Sequence, residues 1–231
     1  MTPHVHLGKG IKVVAWFEYG FMSAAVINGA VATNGFHEHA KKQGWVTDAR
    51  QFMGHNWMDI SKPAVADFIG SIMADAAKMP DLAGVQVDDH VGCPLSPCTP
   101  AISLTAIKTL VSKVKAANAA ILFSYAPPTL SFAIDKIRSP YNQWLDNFGE
   151  IAPQIYRPTA AATKALLDEH LRFIPKSKFV AGLRASGNPP TPFAEVAKMV
   201  KAVKTAGIKG FSVWDYNTIG RNTADWPRAL A

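Results

Sequence analysis

Residues 82–92 read LAGVQVDDHVG, a short apolar run that delivers two adjacent carboxylates, Asp88 and Asp89, and then His90. Ionised acids at the tip of a buried strand must be met by water, a metal ion or a substrate, because an unpaired buried charge is strongly disfavoured. In parallel α/β folds the C-terminal ends of strands are where active sites are built. Side chains alternate along a strand, so Asp88 and Asp89 point to opposite sides. One enters the site and the other serves a neighbouring loop or helix N-terminus. Three consecutive strand residues cannot all reach one ion, so a metal centre made of Asp88, Asp89 and His90 ranks last among the chemistries.

The elements that must position these groups follow a repeating grammar of short apolar run, polar loop and amphipathic segment. Strands are predicted at 11–17, 82–88, 120–125, 151–156, 178–183 and 208–214, each bounded by Gly, Pro or polar residues. Helices are predicted at 62–78, 100–117, 159–171 and 192–206. Ser61 is the expected N-cap before Pro63, and Thr191 the cap before Pro192. Strand alternating with helix implies a parallel sheet joined by right-handed crossovers. Neither GxGxxG nor GxxxxGK[ST] occurs, and no cofactor or metal is expected. Several strands end instead in polar or aromatic residues: Glu18 and Tyr19, Tyr125, Gln154 and Tyr156, Arg184, then Trp214 and Asp215. Groups from many strand ends converge most readily at a barrel mouth. The fold expected is therefore a single (β/α)-barrel domain over 1–231, with six strands counted where a closed barrel has eight.

Composition narrows the classes. The 231 residues are 48% hydrophobic and 18% charged, which describes a folded globular chain. No apolar run approaches the roughly 20 residues that span a bilayer, and no signal segment opens the sequence. The net charge is +7, with lysines scattered through the helices. That scatter reads as solvated helix faces, and without a binding motif nucleic acid is not expected as a partner. Cys93 and Cys98 are the two cysteines. They lack further zinc ligands, and a small disulfide and two reduced thiols both fit.

AWFEYGFM at 15–22, the 82–92 strand, QIYRP at 154–158 and GFSVWDY at 210–216, in that order, resemble the glycosyl-hydrolase-like family 10 proteins. These are bacterial (β/α)8-barrel proteins related to the domain that hydrolyses poly-N-acetylglucosamine. The resemblance implies a TIM-type barrel represented here by strands three to eight, because family members have two further strands before the Trp-Phe-Glu-Tyr strand. The chain then reads as a fragment, or as a barrel whose uncovered edges an oligomer would cover. The resemblance further implies a secreted or periplasmic protein. Two departures stand out: Asp59 replaces a common Asn, and Asp215 stands where Glu is frequent.

The resemblance turns the strand-end acids into candidates for glycoside hydrolysis, in which one carboxyl group protonates the leaving oxygen and another attacks or activates water. Gly84 to Asp88 also resembles the fourth strand of amylase-type barrels, which places Asp88 as the direct catalytic carboxylate. The fifth strand, where such barrels carry their acid, here ends Ser124-Tyr125-Ala126-Pro127. Glu18 and Asp215 are the remaining candidates for the partner. Asp89, His90 and Arg184 are expected to bind or orient substrate. Trp16, Tyr19, Tyr125, Tyr156 and Trp214 offer flat faces for sugar rings, with half of the strand-end aromatics expected to be core. The partner is a carbohydrate polymer or oligosaccharide. A glycan-binding barrel remnant that does not cut is the competing reading.

Overall fold

The computed structural model describes residues 12–18, 25–27, 30–32, 35–47, 57–88, 92, 98–186 and 190–214. The chain forms two compact units, one of Met1–Phe123 with Leu130–Asn147 and one of Ser124–Thr129 with Phe148–Ala231.

The first unit begins with strand β1 (Val13–Phe17), the short strands β2 (Ala25–Ile27) and β3 (Ala30–Ala32), helix α1 (Gly35–Lys42), and strands β4 (Val46–Thr47) and β5 (Trp57–Met58). It continues through α2 (Pro63–Ala77), β6 (Leu82–Val87), α3 (Pro100–Ala117), the start of β7 (Leu122–Tyr125) and α4 (Leu130–Ile137). β1 and β6 are parallel neighbours, with Trp16 opposite Gln86 and Phe17 opposite Val87, and β7 follows β6 in the strand order. Two small antiparallel ladders, β2 with β3 and β4 with β5, lie between the predicted strand at 11–17 and the predicted helix at 62–78. Trp57 is completely buried there, and Trp45 lies tilted against Phe68 with 5.1 Å between ring centres.

Apolar periodicity makes α2 and α3 a packed pair. Val65, Ile69 and Met73 of α2 are buried, as are Ile107, Leu110 and Val114 of α3. Asn118, just past α3, donates its amide to the Ala77 carbonyl at the end of α2, 3.1 Å away. Thr99 accepts from the Ile102 amide and so caps α3. The expected cap at Ser61 is not formed. Lys62 takes that position without a side-chain bond, because the Ser61 amide and hydroxyl both donate to Asp59 Oδ1.

The second unit takes the C-terminal half of β7 and adds β8 (Glu150–Ile151), α5 (Ala160–His170), β9 (Val180–Arg184), α6 (Phe193–Ala206) and β10 (Gly210–Trp214). Every pairing is parallel: Ser124 with Glu150, single bridges Ile151–Phe179 and Gln154–Gly182, and five pairs from Gly210–Val180 to Trp214–Arg184. The strand expected over 151–156 is shorter than the pattern suggested. Pro153 has no N–H to donate, and pairing resumes only at Gln154. Thr191 does not cap α6, whose cap position holds Pro192. The same helix ends at Gly207, whose left-handed φ of 65° favours glycine. Phe179, Ala181, Leu183, Val196 and Met199 are fully buried at the centre of this unit.

Candidate active site

In the first unit the register carries the candidate acids together. The Asp88 amide donates to the Phe17 carbonyl at 3.0 Å, so parallel pairing continues one residue past the end of β6. This sets Glu18 beside Asp88, on strands whose usual separation is about 4.8 Å. Paired residues of parallel strands project to the same side. Glu18 and Asp88 therefore share a face with Trp16 and Gln86, two residues back on each strand. The alternate face of β6, with Val85 and Val87, is fully buried, and α2 packs on this strand. Asp88 retains 9% of its surface and Trp16 keeps 49%, so the face grades from a nearly buried acid to an exposed indole. Such a gradient suits a ligand with polar hydroxyls at one end and an apolar ring face at the other. Gln86 was not singled out from sequence, although its place two residues before Asp88 on a strand was signal enough.

Two described residues beyond Asp88, Gly92 and Cys98, are held in place. Gly92 lies so close to α4 that an added Cβ would run into the Ile137 carbonyl. Cys98 is disulfide-bonded, and the sequence offers one other cysteine, Cys93. Asp59 has a local role: it accepts from Ser61 and forms an ion pair with Lys62 at 3.8 Å. An Asn side chain has the same acceptor oxygen, so this turn does not distinguish the two residues.

In the second unit, Tyr125 is fully buried against Phe148, with ring centres 5.2 Å apart, and is a core residue. Arg184 is half-buried, its Nε donating to the Ser186 carbonyl at 2.6 Å. Trp214 closes β10 with its side chain 46% exposed, while its carbonyl accepts from the Ala185 amide at 2.8 Å and the Ser186 amide at 3.1 Å. Tyr156 is half-buried beside Arg157, which donates to the Tyr156 carbonyl. Tyr19, Asp89, His90 and Asp215 lie outside the described residues. Among the described residues no three His, Cys, Asp or Glu side chains are grouped to hold a metal ion, and no helix is long and apolar enough to cross a membrane.

Residues 5–106 match the family model of glycosyl hydrolase-like 10 proteins. That span contains β1, β6 and the Glu18–Asp88 row. The chain is also similar to the crystal structure of Aspergillus fumigatus Ega3 in complex with galactosamine, at 14% identity and a TM-score of 0.55, covering 88% of this chain and 75% of that one. A GH36 α-galactosidase, AgaA from Geobacillus stearothermophilus, aligns at 13% identity and a TM-score of 0.61, over 96% of this chain. A second, AgaB from the same organism, aligns at 12% identity with the same score, over 94% of this chain. This chain spans 30% and 29% of those two enzymes. No curated protein matches the sequence. At these identities the likeness is one of fold: parallel βα units that match TIM-barrel glycosidase domains over most of the chain.

Proposed function

We propose that this is a glycoside hydrolase that cleaves glycosidic bonds in a polysaccharide, with Asp88 as the direct catalytic carboxylate. The observation that carries the reading is the register: the pairing of Phe17 with Val87, continued by the Asp88 amide to the Phe17 carbonyl, supports Glu18 and Asp88 standing level just past the C-terminal ends of adjacent parallel strands. Two neighbouring carboxyl groups can divide the work of proton donor and attacking or water-activating base. Trp16, on the same face, offers its exposed ring to a sugar. Asp215 is the second candidate for the partner acid, and Asp89 and His90 are assigned to holding hydroxyls near the strand tip. Arg184 and Trp214 are the sugar-binding candidates of the second unit. The disulfide at Cys98 supports an oxidising compartment for the working protein.

The test is release of new reducing ends from a panel of polysaccharides. Wild type is expected to release them, and Asp88→Asn to lose at least about 100-fold in rate with its circular dichroism unchanged. Glu18→Gln and Asp215→Asn, measured alongside, separate the two candidate partners. Undiminished cleavage by Asp88→Asn would remove the assignment. Retention on a glycan column by wild type and mutant alike, without any cleavage, would make the protein a glycan-binding barrel instead.

A further inference from the structure

The positive charge of this chain is unevenly divided. The second unit has twelve Lys and Arg against six Asp and Glu, whereas the first has twelve against eleven. Part of the excess lines a groove of about 470 Å³ between α5 and α6, where Lys164, Lys176, Lys198 and Lys201 stand around a single acid, Asp168. Lys164 is paired with Asp168, and Lys198 with Glu195 at 3.1 Å. The Glu195 carboxylate is itself engaged at the start of α5, accepting from the Ala160 amide at 2.7 Å. Lys176 and Lys201 are exposed and have no acidic partner among the described residues. The floor is aliphatic, from Leu167, Leu171 and Ala202.

We infer that this groove is a secondary binding surface for an acidic polysaccharide, a chain of sugars carrying uronate carboxylates. The groove runs toward the C-terminal ends of α5 and α6 and the loop that feeds β9, so within this unit it is remote in the topology from the strand tips Arg184 and Trp214. It is suited to tethering a polymer beside a site that works elsewhere. Two of the four ammonium groups are offset by Asp168 and Glu195, and the surplus of Lys176 and Lys201 sets the sign of the partner. The lining holds no aromatic residue, so a nucleic-acid strand would find no stacking platform. A recess with a small aliphatic floor gives a flat bilayer nothing large to bury. The anionic character of the partner rests on the lysines alone, while its being a glycan rests on the glycoside hydrolase reading.

The experiment is binding of the full chain to immobilised polygalacturonate, compared with neutral dextran, duplex DNA and phosphatidylserine vesicles. Polygalacturonate is expected to retain the protein at low salt and release it at high salt, with dextran retaining none. The double reversal Lys176→Glu/Lys201→Glu should weaken retention about tenfold. Lys108→Glu/Lys136→Glu, an equal change in net charge on exposed positions of α3 and α4, should leave it unaltered. Equal loss in both variants, no retention on polygalacturonate, or tighter binding to DNA or vesicles would overturn the inference. The readout needs no cleavage, so a protein that is retained but releases no reducing ends sinks the hydrolase reading and leaves the groove standing.

Discussion

A glycine three positions after the acidic pair bears on the site as much as the acids do. Gly92 lies against the Ile137 backbone with no room for a methyl group. That contact fixes Gly92 against the end of α4. Gly92→Ala must push α4 or the loop aside, and overpacking of this kind costs about 1–3 kcal/mol. Urea unfolding should show a lower midpoint with little change in slope. An unaltered midpoint would mean that the contact relaxes freely. At this scale the sequence was partly legible. Alternation along a strand sets Asp88 on the face opposite Val87, and the register with β1 then brings Glu18 level with Asp88, while Asp89 lies outside the described residues. Nothing in the one-dimensional pattern could reveal that Gly92 meets a carbonyl forty-five residues later, or that Tyr125 points into the core while Trp16 does not.

Among the elements, the long helices were legible and the short ones were not. The four amphipathic segments named from apolar spacing correspond to α2, α3, α5 and α6 within a residue or two at each end. α1 and α4 have eight residues each, too few turns for a periodicity to declare itself. Within α5, His170 deserves a measurement. It is buried beside Phe173 and Phe179, its Nδ1 is 2.8 Å from the Leu166 carbonyl, and burial lowers its pKa below the ordinary 6.5. The folded chain thus holds His170 neutral, and the unfolded chain binds the proton more readily. This contribution to stability is complete above the unfolded value and is lost as pH falls below about 6.5 toward the folded value. Denaturation from about pH 7 to about pH 5 should show wild type losing stability faster than His170→Phe. Parallel losses would assign the acid sensitivity to other groups. Glu195 works the other way. The Ala160 amide first, and Lys198 second, hold its carboxyl below the usual range. Its support for the α5–α6 junction is present above the ordinary carboxylate pKa and fades in stronger acid.

For the molecule as a whole, compartment and charge are the informative properties. Positive charge that reads as evenly scattered along the sequence is in surplus in one unit, because the second unit has as many Lys and Arg as the first but six acids against eleven. Helical packing, which brings Lys164 and Lys201 to one groove, is invisible to a count along the chain. The disulfide closes a loop of a few residues just ahead of α3. A chain-entropy estimate for so small a loop is about 2 kcal/mol. Dithiothreitol should therefore lower the thermal midpoint, and alkylation of both thiols should make the loss permanent. A midpoint indifferent to reductant would show that the bond adds nothing to stability.

The path of the chain between the units has a consequence for inheritance. It leaves the first unit at Ser124, returns at Leu130 and leaves again at Phe148, so β7 and the β8 strand that it pairs with are separated by a segment belonging elsewhere. A gene crossover falling within 130–147 would join β7 from one parent to β8 from another. The recombinant would have to reproduce both the Ser124–Glu150 register and the Tyr125–Phe148 ring contact. A peptide of 148–231 alone would lack the strand that β8 needs. The second unit cannot be exchanged as a cassette, and sequence changes on either side of that segment must be selected together.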